Sequence, residues 1–182
     1  MSGIHTKLAA VVRVLDDMRA KGIIGDYGVG GAVAATFHYQ PISTVDLDIF
    51  FLFDPPQTGI ILSLEPIYNY VRKQGFEYDK DFIFINGWPV QFIESSHDGL
   101  WKEAIEKSRT FGFGDLEIKV LPPEHLAAMW VQAGREKDIR KIVEFDEGGV
   151  MNRQVLQDLL ERFGFLEKWR SIQGRLSNEY KF

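Results

Sequence analysis

The chain has 182 residues, 45% of them hydrophobic and 14 of them phenylalanine, enough for a sizeable core and too many for a disordered chain. It contains no cysteine, which excludes disulfides and thiolate metal sites and accords with a reducing cytoplasm. With four scattered histidines, a metal site has to rest mainly on oxygen ligands, which favours hard cations such as Mg²⁺ or Mn²⁺. A net charge of −5 argues against a protein that coats nucleic acid through a broad basic face, while leaving room for a local basic pocket. No basic leader followed by an apolar core opens the chain, and its apolar runs, Ile49–Phe53 among them, are too short to span a bilayer. A cytoplasmic protein is the expectation.

Leu8, Val11, Val12, Leu15 and Met18 recur at helical spacing, and Gly22 stops that helix. A short strand over Tyr27–Val29 runs into Gly30-Gly31, from which the alanine-rich segment Ala32–His38 leaves as a helix. Pro41 and Ser43 mark Gln40–Thr44 as a loop. Val45–Phe53, rich in branched and aromatic residues and closed by Asp54-Pro55-Pro56, predicts the clearest strand. Leu64–Gln74 predicts a helix capped by Gly75.

Phe82–Ile85, Asn86-Gly87 and Trp88–Ile93 together predict a hairpin with a type I′ turn. Pro89 cannot donate to a ladder, so the second strand is an edge there or starts late. Leu100–Lys107 reads as a short amphipathic helix, and Phe111–Phe113 with Leu116–Leu121 as a second hairpin turning at Gly114-Asp115. Helices follow from Pro122-Pro123-Glu124 to about Ala133, then over Glu136–Phe145, Arg153–Phe163 and Leu166–Leu176. The class is therefore α+β, an α/β core over 1–121 with a helical region over 122–182 packed on it. The segment from Met151 packs on the sheet or forms a dimer contact.

Asp46 and Asp48 stand two apart on the predicted strand, so both project from one face while Leu47 points into the core. Two like charges so close repel unless a cation holds both ionised. Mg²⁺ fits, because it takes one or two protein carboxylates and completes its shell with water and phosphate oxygens. The alternative is two acids at a solvated strand end. Gly30-Gly31 bears on the choice: without β-carbons the backbone can approach a phosphate, and the helix that follows aims free N–H groups at the same place. Arg135 and Lys137, at a helix junction, either clamp phosphates or pair with Glu136, Asp138 and Asp146 on a solvated face. His38 either orients a substrate or is a hydrogen-bonded structural histidine. Trp101, Trp130 and Trp169 fall on helix patterns and read as core.

Val29-Gly30-Gly31-Ala32-Val33-Ala34, His38 and Thr44-Val45-Asp46-Leu47-Asp48-Ile49 resemble the nucleotidyltransferase superfamily that includes polymerase beta. The likeness is greatest to the bacterial branch that contains abortive-infection toxins. Leu121-Pro122-Pro123-Glu124-His125-Leu126, followed by Ala133-Gly134-Arg135-Glu136-Lys137-Asp138, is similar to the helical motif those proteins carry after the sheet. The resemblance implies a mixed sheet flanked by helices and transfer of a nucleoside monophosphate from a nucleoside triphosphate to an acceptor: a tRNA end, a protein or a small molecule. It also implies metal on Asp46 and Asp48, phosphates at Gly30 and Gly31, and an antitoxin or a second copy as partner. Three departures stand against it. Gln91 occupies the position of a third carboxylate, Ile42 that of a basic residue, and Trp130 that of a lysine. The second reading is accordingly a nucleotidyltransferase-like module that binds nucleotide or protein without turnover.

Overall fold

The computed structural model describes residues 2–40, 44–56 and 62–179. Among the described residues seven strands form one mixed sheet: β1 (Tyr27–Val29), β2 (Leu47–Phe51), β3 (Glu77–Asp79), β4 (Phe82–Ile85), β5 (Trp88–Glu94), β6 (Arg109–Phe113) and β7 (Leu116–Val120). Their spatial order is β3-β4-β5-β2-β1-β7-β6. The pairs β2·β5 and β1·β7 are parallel, and the other neighbours run antiparallel. Among the described residues eight helices flank the sheet: α1 (Ser2–Ala20), α2 (Gly31–His38), α3 (Glu65–Gln74), α4 (Gly99–Glu106), α5 (Pro123–Ala133), α6 (Glu136–Glu147), α7 (Arg153–Arg162) and α8 (Leu166–Glu179). The fold is the α+β architecture expected, and no described helix is long and apolar enough to cross a membrane.

Local chemistry accounts for most boundaries. Asn86 and Gly87 both take positive φ, 50° and 68°, as the type I′ turn between β4 and β5 requires. Gly75 closes α3 in the left-handed region, and Gly134 does the same for α5. Pro89 is tolerated inside a central strand because β5 begins pairing with β2 only at Val90. The short strand β3, all of it exposed, carries no apolar pattern by which the sequence could announce it; it forms because β4 offers it a partner.

Leu47, Ile49 and Phe51 send their side chains to the fully buried face of β2, while Asp48 and Phe50 face the other way. Tyr70 of α3 donates to Asp17 of α1 at 2.7 Å, tying those two helices together. Helix α5 is buried on every side from Pro123 to Val131, packed among α2, α4, α6, α7 and α8, which is why its sequence is apolar all round. Two polar residues near its start reach partners on other elements, while Nδ1 of His125 is buried with no hydrogen-bond partner among the described residues. Glu124 accepts from the backbone N–H of Asn152 at 3.0 Å, and Nε2 of His125 meets Glu103 of α4 at 3.2 Å. The segment from Met151 thus packs chiefly on α5.

Candidate active-site cleft

The predicted strand Val45–Phe53 is shorter than expected: pairing begins at Leu47, Val45 is exposed, and Asp46 precedes the strand instead of lying on it. The Thr44 hydroxyl holds Asp46 by donating to its Oδ1 at 2.9 Å. Both carboxylates nonetheless line one cleft of about 920 Å³, together with Gly31, Ala32, Gln91, Arg135, Lys137, Asp138 and Lys141.

The glycine turn abuts the carboxylates. The N–H of Gly30 donates to the carbonyl of Asp48 at 2.9 Å, locking the end of β1 to β2. Gly31 has φ of 59° and lies so near Asp48 that a β-carbon there would sit 2.0 Å from Oδ2. A β-carbon on Gly30 would meet the Phe50 ring at 2.3 Å. The residue at the cap position of α2, Gly30, has no side chain, and no side chain among the described residues caps that helix, which leaves its first N–H groups facing the cleft for an anion.

Register places Gln91 beside Asp48, because β2 and β5 pair in parallel with Asp48 opposite Gln91. Among the described residues no third Asp, Glu, His or Cys completes a metal-binding group with Asp46 and Asp48. Glu77, Asp79 and Asp81 are exposed around β3 and outside the cleft, and Glu94 accepts from the backbone N–H of Ser96. Ile42 lies outside the described residues, as do the other central residues of the loop expected over Gln40–Thr44.

Helix α6 supplies the positive side of the cleft. Arg135 and Lys141 both bind the buried carboxylate of Asp138, Lys141 at 2.9 Å, and Lys141 also lies 5.3 Å over the Trp130 ring. Of the pairings foreseen for Arg135, that with Asp138 forms; Glu136 pairs with Arg140, and Asp146 with Arg153. Lys137 is exposed at the cleft and makes no ion pair among the described residues. Burial first, and the charge of Asp46 second, push the Asp48 carboxyl above its usual range. Arg135 and Lys141 pull it back, and Asp138 adds to the rise.

The opposite wall is aromatic. Trp101, expected in the core, is half-buried and lines the cleft with its ring edge-on to Phe50, centroids 5.4 Å apart. Its Nε1 donates to Gln132 Oε1 at 2.7 Å, and Gln132 Nε2 donates to Asp98 Oδ2 at 2.6 Å. Oδ1 of Asp98 in turn caps α4 by accepting from the Trp101 N–H at 3.0 Å. Trp130 is buried beneath the same cleft, whereas Trp169 lies half-buried in a separate cavity of about 670 Å³ among α6, α7 and α8. His38 is structural: its Nε2 donates to the Leu121 carbonyl at 2.7 Å, and burial holds its pKa below the usual value. Sequence reasoning passed over Gln132 and Lys141, and quoted Thr44 only as part of a motif, with no role. The available signal was the helical spacing of Lys137, Asp138 and Lys141 beyond the motif already noted.

No family model matches the chain, and no curated protein matches it in sequence. Its fold is that of nucleotidyltransferase-like proteins. It is similar to the crystal structure of an antigenic nucleotidyltransferase-like protein from Paracoccidioides brasiliensis, with a TM-score of 0.57 and 16% identity over 95% of this chain and 91% of that one. It is also similar to the solution structure of the antibiotic-resistance factor ANT(2'')-Ia, with a TM-score of 0.55 and 10% identity over 97% of each chain.

Proposed function

We propose that the protein is a nucleotidyltransferase that moves a nucleoside monophosphate from a nucleoside triphosphate to an acceptor hydroxyl or phosphate. One observation carries this reading: Asp46 and Asp48 share a cleft with the Gly31 turn, the uncapped start of α2 and the cations of α6. That combination suits a metal-bound triphosphate. The oxygen donors fit Mg²⁺ or Mn²⁺, since a dication would relieve the repulsion that raises Asp48. Asp46 and Asp48 would hold the ion, which when bound neutralises charge on the phosphates. Gly30 and Gly31 let the backbone reach the phosphate oxygens, and Arg135, Lys137 and Lys141 balance their charge. The acceptor oxygen attacks the α-phosphorus and pyrophosphate leaves. The order of the glycine, Asp-x-Asp and Arg-x-Lys-Asp stretches supports placement in the bacterial abortive-infection branch, with a cytoplasmic location and an antitoxin or second copy as partner.

Gln91 favours the second reading, a binding module without turnover, because an amide beside Asp48 cannot accept a proton. Two measurements separate them. A triphosphate at a hundredfold excess over its Kd should stabilise the protein by about 2.7 kcal/mol, and only with Mg²⁺ present. Equal shifts with and without the metal count against the metal-bridged site. Transfer of labelled nucleotide by the wild type, lost in Asp46→Asn, establishes the enzyme. A silent wild type with an active Gln91→Asp variant marks a disabled site, since a restored general base is worth about 10²–10⁴-fold.

A further inference from the structure

We propose that the acceptor is a small uncharged phenol, seated against Trp101 and Phe50 with its hydroxyl beside Gln91 and Asp48. This inference rests on the nucleotidyltransferase reading and narrows it. Charge distribution supports it first. Asp138 is 1% exposed and already bound by Arg135 and Lys141, so among the described residues the acidic groups left in the cleft are the pair assigned to the metal. A polycationic acceptor finds no carboxylate of its own there, and an anionic one would compete with the triphosphate for α6.

Shape supports it next. Trp101 is held at both ends, its indole N–H by Gln132 and its backbone N–H by Asp98, and Gln132 bridges to that same aspartate. The ring is thus a fixed plate, with the Phe50 ring at right angles to it and Ile93 and Met129 beside them in the lining of the cleft. A preorganised aromatic wall binds a flat ring without paying to order itself. Chemistry decides the functional group. The residue beside Asp48 is an amide, which can orient a hydroxyl but not deprotonate it. An acceptor that ionises readily unaided is then required: phenolic hydroxyls, like that of tyrosine, have a pKa of about 10. Bulk water, closer to an aliphatic alcohol, lies near 15.7. In the transfer the phenol oxygen bonds to the α-phosphorus, the bond from that phosphorus to the bridging oxygen of pyrophosphate breaks, and the hydroxyl proton passes to solvent. The products are an aryl nucleotide ester and pyrophosphate.

The test uses methylumbelliferone, a fluorescent phenol whose neutral and ionised forms absorb at different wavelengths. The protein is loaded with Mg²⁺ and a triphosphate analogue whose α,β-bridging oxygen is replaced by a methylene group, so transfer is blocked. Binding of that analogue alone is measured first by thermal shift, and its failure overturns the nucleotidyltransferase reading itself. With the analogue bound, methylumbelliferone is expected to bind and to ionise at lower pH than it does free. Its O-methyl ether should bind at least tenfold more weakly. Trp101→Leu and, should that variant fold poorly, Met129→Ala should each weaken the phenol at least tenfold and leave analogue binding intact. The inference is overturned if the analogue binds and the phenol does not, or if both variants bind the phenol as tightly as wild type. Displacement of the phenol by kanamycin, a polycation, at equal concentration overturns it equally.

Discussion

A methyl group on Gly31 would lie 2.0 Å from Oδ2 of Asp48, and the backbone φ of 59° already disfavours any side chain. Gly31→Ala is therefore expected to destabilise the fold by at least about 1 kcal/mol and to push Asp48 out of place. Thermal melting reads the first effect, and loss of the Mg²⁺-dependent triphosphate shift the second. Asp48→Asn should act in the opposite sense on stability. The Asp48 carboxyl has a raised pKa in the folded protein, so the folded state holds its proton at pH values where the unfolded chain has released it. Stability is then lost as pH rises from the unfolded pKa through the folded one. In metal-free protein at neutral pH the asparagine variant should melt higher than wild type, and the gap should close in acid. A lower melting temperature for the variant at neutral pH contradicts the electrostatic account of the cleft.

At the scale of elements, α4 and α5 are joined by side chains as well as by packing. Gln132→Ala removes the partners of the Trp101 indole and of Oδ2 in Asp98, at a cost of about 1 kcal/mol. The expected signature is a modest fall in Tm with tryptophan emission shifted to the red, as Trp101 becomes mobile and wetter. Asp98→Ala also loses the cap of α4 and should cost about 1 kcal/mol more. Farther along, Arg162 of α7 grips both oxygens of Glu103 at 2.8 Å. That guanidinium, against an opposing burial effect and with help from His125, pulls the Glu103 carboxyl down to about 2. A depressed carboxylate contributes stability above its unfolded pKa that is lost as pH falls through the folded one. Arg162 is half-exposed, so solvent screening keeps the contribution near 1 kcal/mol or below. Arg162→Ala should flatten the acid limb of the stability curve between about pH 4 and pH 2 while changing little at neutral pH.

Across the whole molecule, one continuous core takes in Leu47, Ile49 and Val90 from the sheet and Leu126, Phe145, Leu160 and Ile172 from the later helices. Thermal unfolding followed by tryptophan fluorescence and by far-ultraviolet circular dichroism should therefore give coincident transitions. Two separated transitions would mean that 1–121 and 122–182 fold independently. The hairpin at Asn86-Gly87, the cap at Gly75 and the amphipathic helices were legible in the sequence because each rests on chemistry within a few residues. Strand β3 was not legible, and β2 read as longer than it is, because strand limits depend on what a neighbouring strand offers to pair with.

The candidate site divides along the same line. Asp46, Asp48, Gly30 and Gly31 stood out by residue type and spacing, and so did the cations at the start of α6. Sequence by itself determined that oxygen ligands and a phosphate-accommodating turn were available, since side-chain chemistry is local. Only the tertiary structure decided that Gln91 sits beside Asp48 and that Trp101 faces the cleft. Those outcomes follow from parallel pairing between β2 and β5 and from a network joining residues 98, 101 and 132. Contacts between positions so far apart along the chain are set by how whole elements pack, which no local pattern encodes.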